Sequence, residues 1–162
     1  MKTLAATHFI TMGVAGCGKT TVGAALAERM NLPFFDGDDY HPAANLKKMS
    51  AGIPLTDDDR MPWLAALLEV MQNNPHGTVI SCSALKKIYR DFLRQQSVQF
   101  VFLVVSEATV LERVRLREHF FPESLVRDQF ANLEVPAEAE AQRIDGCLPV
   151  DAICEDVMRT VF

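Results

Sequence analysis

A chain of 162 residues with 49% hydrophobic content is long enough to bury one substantial core and falls within the usual range of a single domain. Its 16 Lys and Arg against 21 Asp and Glu leave a net charge of −5, so no general basic field attracts nucleic acid, and any anion site must be local. No strictly apolar run is longer than that at residues 100–105, far short of the roughly 20 residues that a membrane span requires.

In chain order, residues 8–12 are a short β-prone run ending at a Gly-rich turn. Residues 20–30 follow, with Val22, Ala25, Leu26 and Met30 at helical spacing, so the segment reads strand, loop, helix. A second short strand is expected at 33–35, then a helix at 58–73. Strands at 78–82 and 99–105 are nearly continuous apolar runs, the pattern of parallel strands buried on both faces. Helices are expected at 85–95, 107–117 and 124–132, a weak fifth strand at 142–144, and a closing helix at 151–161. Residues 134–140 are Ala- and Glu-rich with one Pro and read as a loop. This alternation specifies an α/β fold, a mostly parallel sheet covered by helices, whose ligands gather beyond the carboxyl ends of the strands. No repeat or linker interrupts it, so one domain over residues 1–162 is expected. Residues 1–6 lack a charged region followed by a long apolar segment and a cleavage site, so no secretory leader and a cytoplasmic location are expected. Cys17, Cys82, Cys147 and Cys154 form no C-x-x-C pair and are read as reduced thiols. Cys82 and Cys154 are expected to be buried, and Cys17 open to oxidants.

Gly13-Val14-Ala15-Gly16-Cys17-Gly18-Lys19-Thr20 satisfies G-x-x-x-x-G-K-[ST] between an expected strand and an expected helix, the context that a phosphate-binding loop requires. Glycines let consecutive backbone N–H groups turn inward around phosphate oxygens, and the helix N-terminus adds partial positive charge. Lys19 is placed to reach the β- and γ-phosphates of ATP or GTP, and the Thr20 hydroxyl to ligate Mg²⁺. The rest of the chain bears on the class. The strands at 78–82 and 99–105 run into Ser83 and Ser106 rather than into an acidic residue, and no N-K-x-D stretch for guanine recognition occurs. The second strand ends in Phe35-Asp36-Gly37-Asp38-Asp39. Two carboxylates would therefore stand beside the phosphate loop if the first two strands flank one crevice, where they can position magnesium and an attacking hydroxyl.

Further segments continue this pattern: Tyr40-His41-Pro42, Asn45-Leu46-Lys47-Lys48-Met49, residues 52–60 before Pro62-Trp63-Leu64, Cys82-Ser83-Ala84-Leu85-Lys86-Lys87 with Tyr89-Arg90-Asp91, and His119-Phe120-Phe121 with Gln129-Phe130. With them the chain resembles, over nearly its whole length, a P-loop gluconate kinase of the shikimate-kinase-like group. The resemblance implies a three-layer fold with a mostly five-stranded sheet and a mobile lid, ATP and Mg²⁺ as cofactors, and phosphorylation of D-gluconate on its terminal hydroxyl. It further implies Asp36 near magnesium and Asp38 at the accepting hydroxyl as base, and it admits a homodimer.

An acid acceptor needs a cation and several hydrogen-bonding groups around it. Arg60, Lys86, Lys87 and Arg90 are the candidates, each also readable as a solvated charge. His41 is expected either to bond the substrate or to cap a helix after Pro42, Asp57, Asp58 and Asp59 to complement a helix dipole, and Trp63 to lie in the core. Arg113, Arg115 and Arg117 precede a helix-breaking His119-Phe120-Phe121-Pro122 cluster, giving a lid over roughly residues 113–134. Arg113 and Arg117 match the family's spaced pair that closes over the phosphates, four residues apart on one helix face, whereas Arg115 points elsewhere. The chain runs Arg117-Glu118-His119 where the relatives usually place a glycine, and residues 135–145 look shorter than usual. Two other readings stay open: a kinase for another small sugar acid or a shikimate-like acceptor, and a non-catalytic nucleotide-binding regulator. Intact Lys19, Thr20, Asp36 and Asp38 speak against the regulator.

Overall fold

The computed structural model describes residues 7–117 and 121–161. β1 (His8–Met12) leads through the phosphate loop into α1 (Lys19–Met30), and β2 (Phe34–Asp36) into a 3-10 turn (Gly37–Tyr40). Then come α2 (Ala43–Ser50), α3 (Asp57–Gln72), β3 (Val79–Ser81), α4 (Lys87–Leu93) and β4 (Val98–Val104). α5 (Glu107–Arg115), α6 (Glu123–Asn132), β5 (Ala141–Asp145) and α7 (Val150–Val161) complete the order. The strands form one five-stranded sheet in the order β2-β3-β1-β4-β5, and every pairing is parallel. Among the described residues no helix is long and apolar enough to cross a membrane.

The sheet is buried on both faces, and the two-residue period of each strand divides its side chains between two cores. Phe9, Val79, Val101 and Leu103 face one core, which they share with Val22 and Leu26 of α1 and with Ile153 and Val157 of α7. Ile10, Met12, Ile80, Phe100 and Phe102 face the other, under Trp63, Leu64, Leu67 and Met71 of α3 and Tyr89 of α4. Each such side chain contributes about 1.5–3 kcal/mol on burial. α3 begins at a capping box in which Thr56 accepts from the Asp59 N–H and the Asp59 carboxylate accepts from the Thr56 N–H, satisfying two otherwise orphaned donors.

Three features differ from the sequence expectation. β3 stands between β2 and β1, so the first two strands do not flank one crevice directly. The 3-10 turn is instead pressed onto β3: a Cβ at Gly37 would lie 2.2 Å from the Ser81 carbonyl oxygen. α2 has no apolar stripe, since Asn45 is its buried residue and Leu46 is exposed, so periodicity does not reveal it. Finally, α5 stops at Arg115, short of the expected residue 117. Cys17, Cys82 and Cys154 are all buried. For Cys17 this is a correction, because at 1% exposure its thiol is packed under the loop rather than open to oxidants.

Candidate active site

The phosphate loop turns on glycines that only a residue without a Cβ can supply. Gly16 and Gly18 have φ of 79° and 99°, in the left-handed region that side chains disfavour. A Cβ at Gly13 would approach the Cys17 Sγ to 2.7 Å. Thr11 Oγ1 donates to the Lys19 carbonyl at 2.8 Å and ties the first turn of α1 to β1. From α6, Gln129 Oε1 accepts from the Ala15 N–H at 2.6 Å. Behind the loop, Arg113 donates to the Gly16 carbonyl at 3.0 Å and to the Gly146 carbonyl at 3.2 Å.

Two adjoining cavities open at the carboxyl ends of the strands. One follows the loop and is lined by Gly16, Gly18, Lys19, Thr20 and Arg117. The other is lined by His41, Arg60, Trp63, Ser83 and Gln129. Ala15, Lys19, Asp38 and Phe121 border both, so the ammonium of the phosphate loop and the carboxylate from the 3-10 turn stand on a common wall.

The second cavity is built from α3 and the turn before α2. The Trp63 indole donates to the Gly37 carbonyl at 2.7 Å and stacks on the His41 ring, with centroids 4.2 Å apart and planes 16° from parallel. Asn45 Nδ2 donates to the Asp59 carbonyl at 2.8 Å and lies 3.2 Å from His41 Nδ1. Burial pushes the His41 imidazole pKa down; Asp38 pulls it up, Arg60 pushes it down, and the net effect is a lowered value. Arg60 is only 8% exposed. Its Nη1 donates to the Leu55 carbonyl at 2.7 Å and to the Tyr89 hydroxyl at 3.1 Å, and its guanidinium lies 5.4 Å from the centre of the Tyr89 ring. The Tyr89 hydroxyl in turn donates to Asp57. Among the described residues Arg60 forms no ion pair, so its direct contacts are neutral acceptors and the ring, with the Asp57 carboxylate acting on it only from beyond the Tyr89 hydroxyl.

Lys19, Thr20, Asp38, His41, Arg60 and Arg117 are thus gathered at the cavities, with loop residues Ala15, Gly16 and Gly18, while other candidates stand elsewhere. Asp36 lies at the foot of the 3-10 turn, where Oδ1 accepts from the Asp38 N–H at 3.0 Å and from Ser81 Oγ at 3.3 Å. The substrate role expected of Arg90 is corrected. At 1% exposure its guanidinium is spent on Glu140 at 2.6 Å and on the carbonyls of Ala84, Leu85 and Glu134. It holds Ala84, whose φ of 45° is costly for a side-chain-bearing residue. Burial pushes the Glu140 carboxyl up, but hydrogen bonds from Arg90 and Arg94 outweigh it and hold the pKa at about 2. Lys86 is likewise corrected: its ammonium is bound to Asp57 at 2.9 Å and lies off both cavity walls. Lys87 pairs with Asp91 on the surface of α4. Because α5 ends at Arg115, Arg113 and Arg117 do not share a helix face: Arg113 braces the loop from behind, and Arg117, past the cap, lines the phosphate cavity. Arg115 pairs with Glu123 at 2.6 Å. His119 and Phe120 lie outside the described residues. Asn45, Tyr89 and Gln129 received no role from the sequence, although each stands in a segment that carries the resemblance.

Comparison with known proteins agrees with this fold. The family model for shikimate kinase matches residues 15–151. A gluconokinase of Gluconobacter oxydans is 43% identical over 93% of this chain and 88% of its own length. The thermosensitive gluconokinase of Escherichia coli is 45% identical over 88% and 80%. The crystal structure of a gluconokinase from Sinorhizobium meliloti superposes with a TM-score of 0.87 at 44% identity, covering 94% of this chain and 90% of that one. The shikimate kinase of Bacteroides thetaiotaomicron shares the fold, with a TM-score of 0.71 at 17% identity. The loop, the shared Lys19–Asp38 wall and these matches lead to one assignment: the chain belongs to the shikimate kinase family of P-loop kinases, among its gluconokinases.

Proposed function

We propose that the protein transfers the γ-phosphoryl group of ATP to the terminal hydroxyl of D-gluconate, giving 6-phosphogluconate and ADP. The observation that carries this reading is the common wall of Lys19 and Asp38 between a phosphate cavity and an acceptor cavity. Such a wall sets donor and acceptor side by side, and phosphoryl transfer depends mainly on positioning and charge stabilisation. Loop amides and Lys19 hold the transferring phosphate, and Arg117 adds positive charge in the phosphate cavity. Asp38 orients the accepting hydroxyl and takes its proton. Arg60 supports an acid as acceptor, because a buried guanidinium without a carboxylate partner is satisfied when the substrate brings one.

The residues present also fit magnesium. Thr20 stands at the start of α1 on the phosphate cavity and would be the direct ligand, with Asp36 at the foot of the 3-10 turn as the carboxylate for the ion's water shell; a Mg²⁺ held mostly through phosphate oxygens and water needs only one or two protein ligands. When bound, the ion neutralises phosphate charge. We further propose one domain whose lid spans residues 113–134, a cytoplasmic location, where ATP is available and free thiols stay reduced, and a homodimer on the family resemblance alone. The test is a panel of sugar acids and shikimate offered to purified protein with ATP and magnesium, read by coupled ADP production. Gluconate is expected to be the preferred acceptor. Turnover of gluconate no higher than that of Lys19→Ala would end this reading.

A further inference from the structure

His41 is bordered in a way that specifies which of its ring nitrogens carries the proton. The Asn45 amide is the key. Asn45 is only 3% exposed, and its Nδ2 lies 2.8 Å from the Asp59 carbonyl oxygen. A carbonyl only accepts, so the NH₂ side of the amide must face it, and the orientation of Asn45 is determined without reference to the histidine. The same NH₂ group has a second hydrogen, and 3.2 Å away stands His41 Nδ1. Facing a donor, Nδ1 must be the lone-pair nitrogen. In a neutral ring the proton then resides on Nε2.

The anchor under this arrangement is firm. Asp59 is the third residue of α3 and part of its capping box, and its carboxylate is also bound by Lys48 of α2 at 2.7 Å. The hydrogen bonds from Lys48 and from the Thr56 N–H hold its pKa at about 2, so the clamp between α2 and α3 persists at neutral pH. Trp63 stacks on one face of the imidazole and opposes a ring flip that would exchange the two edges. Desolvation, opposed by Asp38 and aided by Arg60, holds the ring toward its neutral form. His41 lines the acceptor cavity with Asp38 and Arg60, and among the described residues its ring hydrogen bond is the one at Nδ1.

We infer that Asn45 is a positioning residue that locks His41 as the Nε2–H tautomer, making His41 an obligatory hydrogen-bond donor to an oxygen of the acceptor. Around His41 the acceptor cavity then sets two donors, His41 Nε2–H and the Arg60 guanidinium, against the Asp38 carboxylate as acceptor, with Lys19, Ser83, Asp128 and Gln129 completing its polar lining. This polarity selects a ligand with an oxygen acceptor near His41 and a hydroxyl near Asp38. The inference rests on the acceptor-site reading above, but its first test does not require any particular substrate.

Long-range ¹H–¹⁵N correlation spectra of ¹⁵N-labelled protein, with the His41 signals assigned by their loss in His41→Gln, report the tautomer directly. The wild type without ligand is expected to show one neutral species, protonated at Nε2 and hydrogen-bonded at Nδ1. Asn45→Ala should give a mixture of tautomers, and its KM for gluconate should rise about two- to tenfold, the worth of one neutral hydrogen bond, with KM for ATP unchanged. In the wild type, saturating gluconate should move the Nε2 resonance and leave Nδ1 nearly in place, a result that does not depend on the variant folding. A proton on Nδ1, an unaltered tautomer in a folded Asn45→Ala, or turnover of gluconate without a shift at Nε2 would each overturn the inference. Failure of gluconate in the acceptor panel would instead remove the substrate assignment and leave the ligand-free tautomer result standing.

Discussion

Arg60 and Arg90 are both buried arginines that border Tyr89 or its helix, yet they do opposite things. Arg90 meets a carboxylate, Glu140, and three main-chain carbonyls, so it is complete and serves as a brace between α4 and residues 134–140. Arg60 meets one carbonyl, a hydroxyl and an aromatic face, and it borders a cavity. The difference shows that burial alone does not mark a binding cation; what marks it is burial with the anion missing. A satisfied charge holds the fold, and an unsatisfied one waits for a ligand.

The comparison can be tested by removing each charge in turn. The largest effect is expected from Arg90→Met, which leaves Glu140 confined without its main partner. Unfolding free energy should fall by about 3–5 kcal/mol, measured by urea titration. Adding Glu140→Leu should recover much of that loss, since an apolar pair of similar size can replace a buried ion pair. Arg60→Gln should act on binding instead. KM for gluconate is expected to rise roughly ten- to a hundredfold, the range for a charge-assisted hydrogen bond, while the urea midpoint changes little and KM for ATP stays as it was. A smaller effect is expected for Tyr89→Phe, which keeps the ring under Arg60 but removes the hydroxyl that links it to Asp57. It should raise KM for gluconate by roughly two- to tenfold, seen in initial rates at saturating ATP.

The gentlest probe is acid. The folded pKa of Glu140 is depressed to about 2 from its ordinary value of 4.5, so between those values the unfolded chain binds more protons than the folded one. The stabilisation it contributes is therefore complete above about pH 4.5 and is lost as pH falls toward 2. Urea midpoints recorded across that window should decline in the wild type and decline less in the Arg90→Met, Glu140→Leu double variant. An equal decline in both would show that Glu140 is not the group responsible.

How far the sequence reveals this molecule depends on how local each cause is. The phosphate loop is legible because its chemistry is written in consecutive residues 13–20. The strands at 78–82 and 99–105 were visible for a similar reason, as apolar runs, within a residue of β3 and β4 at each end. Arg60 and Arg90 could not be told apart, because what separates them is Glu140, distant in sequence from Arg90 and adjacent to it only after β5 has paired with β4. The insertion of β3 between β2 and β1 was hidden as well, since strand order in a parallel sheet is decided by crossover connections rather than by any strand's own residues. Periodicity does not mark α2, which buries an asparagine instead of an apolar face, and that same asparagine orients His41.

One small detail reaches far into the chemistry. With the backbone of residue 37 lying against the Ser81 carbonyl, a single methyl group there would act as a wedge, 2.2 Å from an oxygen that cannot retreat without breaking the sheet. The 3-10 turn would be levered outward, carrying Asp38 with it and loosening the Trp63 indole from its carbonyl, while residues 13–20 stayed where they are. Such a molecule would still grip nucleotide but would have lost its clutch: the drive remains, and nothing engages it.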